Sequence, residues 1–406
     1  MTATGDPARV RVAATATATD ERLWTWPFVF ALLSVFLFYG SFYLTLVALP
    51  KYLKDHFGSG AAEIGLVTGL FSVAAMLPRP LVGRVADRGS SYRPMVLATA
   101  IFVVASPLYI TATTLPRLIA VRLLHGTGMA CYTTAAPTLI ASLAPPHRRA
   151  EAMGFWGMAN TVALATFPAL GLFLAERWGY PVVFATATAV SVASVIVTAL
   201  VRPRRVQPVA RPLPVAGAWL ERRVLGPALV GFVLVLAYNI VLSFTALLAD
   251  DRQIAGAGFF FTVFAAALFA YRIIGRRLAD QRTRWAVTIP GMACVGVGML
   301  VASLAHSFIA LALVAILVGI GYGAAQPALL ALTVDLVPVE RRGAAIATFY
   351  VIWEIGAATS SIVLGGAAQL ITYGGMFAIS GVLLLGTVAF LVLRFRGESK
   401  RAGKET

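Results

Sequence analysis

An all-α integral membrane protein, with twelve helices in two related halves, is what this chain predicts, and three observations predict it. Apolar residues make up 59% of its 406 residues and charged residues 12%, with a mean hydropathy of +0.84, where soluble domains carry about 25% charged residues. The apolar residues gather in runs near the roughly 20 residues that cross a bilayer as a helix. One short grammar also occurs twice at a constant offset of 193. Arg79, Gly83 and Asp87 stand in RPLVGRVADR, and Arg272, Arg276 and Asp280 fill the same slots in RIIGRRLADQ. Arg148-Arg149 maps onto Arg341-Arg342 at that offset, and Gly126 and Gly128 onto Gly319 and Gly321. A repeat of this kind in a hydrophobic chain is the mark of a carrier built from two copies of one folding unit.

In order, the spans read as 28–49, 63–83, 94–112, 117–140, 150–174, 180–201, 225–248, 255–276, 285–304, 308–333, 343–369 and 374–395. The very short breaks after 112 and 304 are each supported by the break at the equivalent place in the other half. Residues 1–27 are rich in Ala and Thr and read as a disordered cytoplasmic N-terminus. The apolar run that follows is span-length, so it reads as a first helix and not as a cleaved signal. The segment 202–223, RPRRVQPVARPLPVAGAWLERR, is rich in proline and arginine. Proline interrupts a regular helix, so the segment reads as a cytoplasmic linker between an N-half, 28–201, and a C-half, 224–397. Residues 398–406 form a basic, polar tail.

The formal charge of +16 raises nucleic acid as a partner, and its distribution argues against it. Of 33 Lys and Arg, Lys51, Lys54, Arg117, Arg177 and Arg252 fall in outer connections and Arg122 within a span. All the others belong to the termini, the linker and the same-side connections and helix ends. That asymmetry places both termini in the cytoplasm of a multi-pass plasma-membrane protein whose basic face meets anionic lipid headgroups. Two cysteines, Cys131 and Cys294, sit in spans at non-equivalent positions. They suggest neither a disulfide framework nor a metal site. No nucleophile–base pair or phosphate loop is visible, so the chain does not read as an enzyme, and no cofactor is implied.

Three motifs resemble those of the major facilitator superfamily, and the likeness runs from about residue 28 to 397. After the second span stand Gly83, Asp87, Arg88, Gly89 and Arg93, similar to that family's Gly-x-x-x-Asp-Arg loop, although Ser90-Ser91-Tyr92 replaces the usual basic pair. The resemblance implies a cytoplasmic gate formed by Arg79, Gly83, Asp87 and Arg88 with Arg272, Arg276 and Asp280, in which Asp87 faces the N-terminus of the eleventh helix. The fourth span, Arg122-Leu-Leu-His125-Gly126-Thr-Gly128, resembles the family's Arg-x-x-x-Gly-x-Gly. The resemblance gives Arg122 a part in proton coupling or gating, against the plainer reading of an arginine reaching back to the interface. The fifth span, Phe167-Pro168-Ala-Leu-Gly171, matches the antiporter signature only in part, because Phe167 and Leu172 replace glycines.

Glu354 lies deep in the eleventh span, in TFYVIWEIGAATSS. The charged form of a carboxylate is disfavoured in hydrocarbon, so a Glu there is a candidate proton carrier, with Arg122 as its electrostatic partner or a competing site. A structural hydrogen bond is the plain alternative. Its N-half equivalent is Thr161, beside Asn160. Asp335 reads as an ion-pair partner of Arg272 or Arg276. The resemblance implies that helices 1, 4, 7 and 10 line a cavity. The substrate candidates there are Tyr39, Tyr43, His125, Met129, Tyr132, Tyr238, Asn239, Tyr322 and Gln326, joined by Asn160 from the fifth span. Aromatic and Met side chains with few fixed charges suit a partly apolar ligand. The expectation is a monomeric secondary transporter, of the drug:proton antiporter branch, that exports a small amphipathic molecule by alternating access. The alternatives are a symporter or facilitator importing a sugar or organic acid, or a non-transporting membrane sensor.

Overall fold

The computed structural model describes residues 22–79, 81–82, 91–201, 221–280, 283–338 and 341–402. Gly83, Asp87 and Arg88 lie outside the described residues, as do residues 1–21, most of the linker and the last four residues. The described chain is helical: α1 (Trp26–Phe57), α2 (Ala61–Met76), α3 (Tyr92–Thr111), α4 (Leu115–Leu143), α5 (Arg149–Trp178), α6 (Tyr180–Leu200), α7 (Leu225–Asp251), α8 (Ala257–Asp280), α9 (Arg284–Leu304), α10 (Phe308–Asp335), α11 (Arg342–Thr359) and α12 (Gly365–Ala402). Helices are forced here, because hydrocarbon offers no hydrogen-bond partner to an unpaired peptide group. Nine stretches among the described residues are long and apolar enough to cross a membrane. The stretch 342–394 is one of the nine; α2 is shorter, and α4 is less apolar, carrying Arg117, Arg122 and His125.

Local chemistry sets the ends. Pro27, Pro116 and Pro181 occupy first-turn positions of α1, α4 and α6, where a missing N–H costs nothing. The Thr283 and Ser307 hydroxyls accept from the N–H groups of Ala286 and Ala310 and cap α9 and α10. Gly58, at φ 63°, ends α1 in the left-handed conformation. Inside α12, Thr372 stands at φ 66° and ψ 165° and breaks the helical path. Its hydroxyl then accepts from Gly375 N–H at 3.4 Å to start the last stretch. A π-turn at Ser360–Leu364 separates α11 from α12.

Short connections at residues 58–60, 112–114, 179, 252–256 and 305–307 make neighbouring helices antiparallel. They gather at one end of the bundle, the hairpin face. The linker face, where α6 ends and α7 begins, is opposite. In the first half α1 packs on α5 and α6, α2 on α4, and α3 on α4 and α6. In the second half α7 packs on α11 and α12, α8 on α10, and α9 on α10 and α12, the same scheme six helices on.

The repeat holds to atomic detail. A Cβ on Gly126 would stand 2.5 Å from the Phe71 carbonyl oxygen and 2.8 Å from Ala74 Cβ. A Cβ on Gly319 would stand 2.6 Å from the Phe264 carbonyl oxygen and 2.9 Å from Ala267 Cβ. Each pair of contacts is 193 residues from its counterpart. Bare glycines let the backbones touch, which is how helices gain packing energy where lipid removes the hydrophobic drive.

The halves meet along α2 against α11 and α12, α5 against α8, and α1 against α7. At the hairpin face Gly65 of α2 lies on the Ser361 carbonyl and the Gly365 Cα. There Lys51 and Lys54 of α1 hold Asp250 of α7 at 3.1 and 2.9 Å. Arg252 donates to the carbonyls of Ala302, Ser303 and Ala305 at the C-terminal end of α9, where a cation also suits the helix dipole.

Candidate functional site: two arginine bridges between the halves

Side chains on a helix lean toward its N-terminus. Since α2 and α8 run from the hairpin face to the linker face, arginines near their C-terminal ends lean inward, toward mid-depth. Arg79 follows this rule: its Nε donates to the Ala75 carbonyl, one turn back, at 3.1 Å. Its Nη2 then crosses to the other half and donates to Glu354 Oε1. Glu354 sits 12 residues into α11, roughly 18 Å from the linker-face end. The Tyr350 ring lies 5.7 Å from the guanidinium carbon, and both charged side chains are largely enclosed, 18% and 14% exposed. A carboxylate deep in the bundle is thus offered a cation from the opposite half.

The second crossing has the same backbone and different chemistry. Arg272, the repeat-equivalent of Arg79, reaches from α8 to α5. Its Nη1 donates to Thr161 Oγ1 at 2.9 Å and to the Gly157 carbonyl at 3.3 Å. Thr161 is the equivalent of Glu354, so both bridges join the same two slots. The first is a charged pair and the second is a cation on two neutral acceptors. Neither arginine serves here as part of a surface loop; each crosses between halves.

Aromatic rings fill the space between the bridges. Tyr238 and Tyr322 stack with centroids 3.9 Å apart and planes at 10°, and Trp353 stands 6.2 Å from Tyr322. Tyr43 donates to Asn160 Oδ1 at 3.0 Å and lies 6.0 Å from Tyr39. Gln326 follows Tyr322 one turn along α10 and is half-buried.

Other expected cavity residues are engaged elsewhere. Tyr132 is fully buried, stacked on Phe38 at 3.6 Å and bonded to Ser34 Oγ at 3.0 Å. Met129 is buried on the same helix. His125 is fully buried, with Nδ1 3.1 Å from the Tyr109 hydroxyl and its ring against Phe102. The Asn239 amide nitrogen faces Ala357 O, Ser360 Oγ and Ser361 Oγ at 2.7–2.9 Å. With two hydrogens it serves two of the three at once, so it holds the π-turn together.

Arg122 is not the partner of Glu354 in this conformation. It is fully buried, its Nε 3.4 Å from the Val67 carbonyl and its guanidinium carbon 4.5 Å from the Phe71 ring centre. By hydrogen-bond geometry its two terminal nitrogens meet no partner among the described residues. The reason is depth: α2 meets Arg122 at Val67 and Glu354 at Arg79, 12 residues further on and roughly 18 Å apart along the axis. Asp335 is paired with Arg284 at 3.2 Å and not with Arg272, because it ends α10 beside the start of α9. The side chains of Arg276 and Asp280 lie outside the described residues, as does the Gly83–Arg88 loop. Among the described residues no three His, Cys, Asp or Glu stand together as metal ligands.

Sequence reasoning missed the partnership of Arg79 with Glu354, and it missed Tyr350 and Trp353. The signal was present in the shared offset, which relates Arg79 to Arg272 and Thr161 to Glu354 and so predicts that if one pair meets, the other does.

An all-helical bundle of two related halves, with ionised groups buried where they meet, defines a multi-pass membrane transporter of the secondary type. The chain belongs to the Major Facilitator Superfamily, whose family model matches residues 31–358 and again 228–406. The uncharacterised MFS-type transporter STM4428 of Salmonella typhimurium is 27% identical over 380 residues, covering 89% of this chain and 95% of the relative. The multidrug export protein EmrB of Haemophilus influenzae is 30% identical over 136 residues, 33% of this chain and 26% of that protein. Among solved structures, the nucleoside transporter NupG superposes with a TM-score of 0.75 at 13% identity, over 91% of this chain and 99% of the other. That likeness speaks for the fold alone.

Proposed function

We propose that this protein is a proton-coupled exporter of a small amphipathic organic molecule, working by alternating access of two six-helix halves. In this reading α2, α4 and the stretch after Thr372 also cross the bilayer, giving twelve crossings. The linker face is cytoplasmic, the membrane is the plasma membrane, and the protein acts as a monomer. The observation that carries the reading is the Arg79–Glu354 bridge between halves. A proton on Glu354 removes the charge that holds Arg79, weakens the α2–α11 contact and lets the halves rock. Rocking then carries the proton from one side to the other, and the membrane potential contributes about 2.3 kcal/mol per 100 mV for each charge moved. Arg122, a fixed cation within the first half, is the second coupling position. The partial similarity to a multidrug export protein and the aromatic lining between the bridges favour export of an amphipathic molecule.

The test is proteoliposomes with a trapped pH dye and an imposed proton gradient, offered amphipathic cations, organic acids, sugars and antibiotics. Substrate-dependent proton movement in the wild type, absent in Glu354→Gln, is the expected result. Proton entry on adding substrate outside would make the protein an importing symporter. Substrate flux that ignores the gradient in both proteins would make it a facilitator.

A further inference from the structure

At mid-depth, counting charge where the halves meet leaves one cation over among the described residues. Arg79 faces Glu354, whereas Arg272 faces the Thr161 hydroxyl and the Gly157 carbonyl, both through Nη1. No carboxylate pairs with Arg272 among the described residues. Position 280 lies eight residues further toward the linker face, about 12 Å along the axis, while the Arg272 side chain leans the other way, toward Thr161. A guanidinium at this depth is costly without a counter-charge.

The surroundings of Arg272 are suited to an anion of a particular shape. Tyr43 bonds Asn160, the neighbour of Thr161 on α5, and Gly323, next to Tyr322 on α10, packs on Leu268 and Tyr271 of α8, in the turn before Arg272. The Tyr43 hydroxyl is already spent on Asn160, but the N–H groups of the planar guanidinium fork that neither Thr161 nor Gly157 takes match a carboxylate and its roughly four lone-pair directions. The Tyr238–Tyr322 stack, with Trp353 beside it, adds a flat aromatic wall to the same place. Arg122 does not compete for such a group, because it is wholly enclosed within the first half. Arg79 does not compete while Glu354 holds it.

We propose that Arg272 anchors the carboxylate of the transported molecule, an aromatic organic acid whose ring lies against Tyr238 and Tyr322. This rests on the transporter reading and narrows its substrate class. It assigns the two bridges different work: the titratable one, Arg79–Glu354, answers to protons, and the neutral one, Arg272–Thr161, answers to substrate. A bound carboxylate takes up the spare N–H donors and draws α8 and α5 together around the ligand.

The experiment uses the purified full chain and three probes that differ in one group: phenylacetate, phenylacetamide and phenethylamine. Binding is measured by isothermal calorimetry, and proton movement in proteoliposomes of the same preparations. The wild type is expected to bind the acid at least about tenfold more tightly than the amide, a fork-to-carboxylate preference, and the amine more weakly still. Arg272→Gln is expected to bind acid and amide alike. Arg272→Lys, which keeps the charge but loses the fork, is expected to retain a reduced preference, which separates recognition from misfolding. Equal binding of acid and amide by the wild type, no binding of the acid, or an undiminished preference in Arg272→Gln would each overturn the proposal. Failure of the coupling reading appears separately, as acid-driven proton movement that survives in Glu354→Gln.

Discussion

At the scale of single residues, the protein places charges where their cost is high and decides their role by what stands opposite. Glu354 and Arg79 answer each other across the interface. Removing either leaves the other as an uncompensated group in a low-dielectric setting. Arg79→Gln is therefore expected to lose proton-driven transport about as severely as Glu354→Gln, on the order of 10–100-fold, and the double variant to be no worse than either single one. Such non-additivity, read as initial transport rates in a double-mutant cycle, is the sign of one coupled unit; independent, multiplying losses would separate the two residues. Arg122 is the opposite case, with two terminal nitrogens that meet no hydrogen-bond partner among the described residues. Arg122→Met is expected to raise thermal stability in detergent by about 1–3 kcal/mol, since it removes an unsatisfied buried charge, while transport falls. A variant both less stable and fully active would remove Arg122 from the coupling machinery. The sequence marked Arg122 and Glu354 as costly, because an ionised residue in an apolar run is visible in one dimension. It did not show that depth keeps them apart.

At the scale of helices, glycine at paired positions sets how closely the elements approach. Gly126 and Gly319 each lie on a neighbouring backbone with no room for a Cβ. Gly126→Val and Gly319→Val are expected to destabilise the protein by about 1–3 kcal/mol each, the usual cost of overpacking. The matched control, Gly154→Ala, has nothing within 4 Å of its added carbon and should leave the melting temperature unchanged. Similar losses at both glycines, measured by thermal unfolding in one detergent, would show that the halves use equivalent packing. The π-turn at Ser360–Leu364 belongs to this scale as well. It widens α11 where Asn239 delivers its amide. No helical propensity in SSIVL foretells it, and its serines meet a side chain on another helix.

At the scale of the whole molecule, the described conformation is joined at the hairpin face and bridged at mid-depth. Asp250 holds two lysines of the opposite half, and all three side chains are partly exposed, so each pair is worth about 0–1 kcal/mol. Asp250→Asn is expected to shift the balance toward a form open at the hairpin face by no more than several-fold. Spin-label distances between the ends of α1 and α7 would report it as growth of a longer-distance population, and an unchanged distribution would show that glycine packing of α2 on α11 carries the closure alone.

The sequence by itself determined the class of fold, because length and apolarity leave the backbone only helices. It also determined the two-fold plan, because one offset runs through both halves. It named Glu354 and Arg122 as ionised residues in costly places, and Arg79 and Arg272 as equivalent members of a gate. Only the tertiary structure decided the partners. A partner is set by the depth and the facing of helices hundreds of residues apart, as with Arg79 and Glu354. The structure also assigned His125 and Tyr132 to the packing of one half, while it left Tyr43, Tyr238 and Tyr322 near Arg272. On a helix apolar on every side, the sequence carries no stripe to say which way a tyrosine faces.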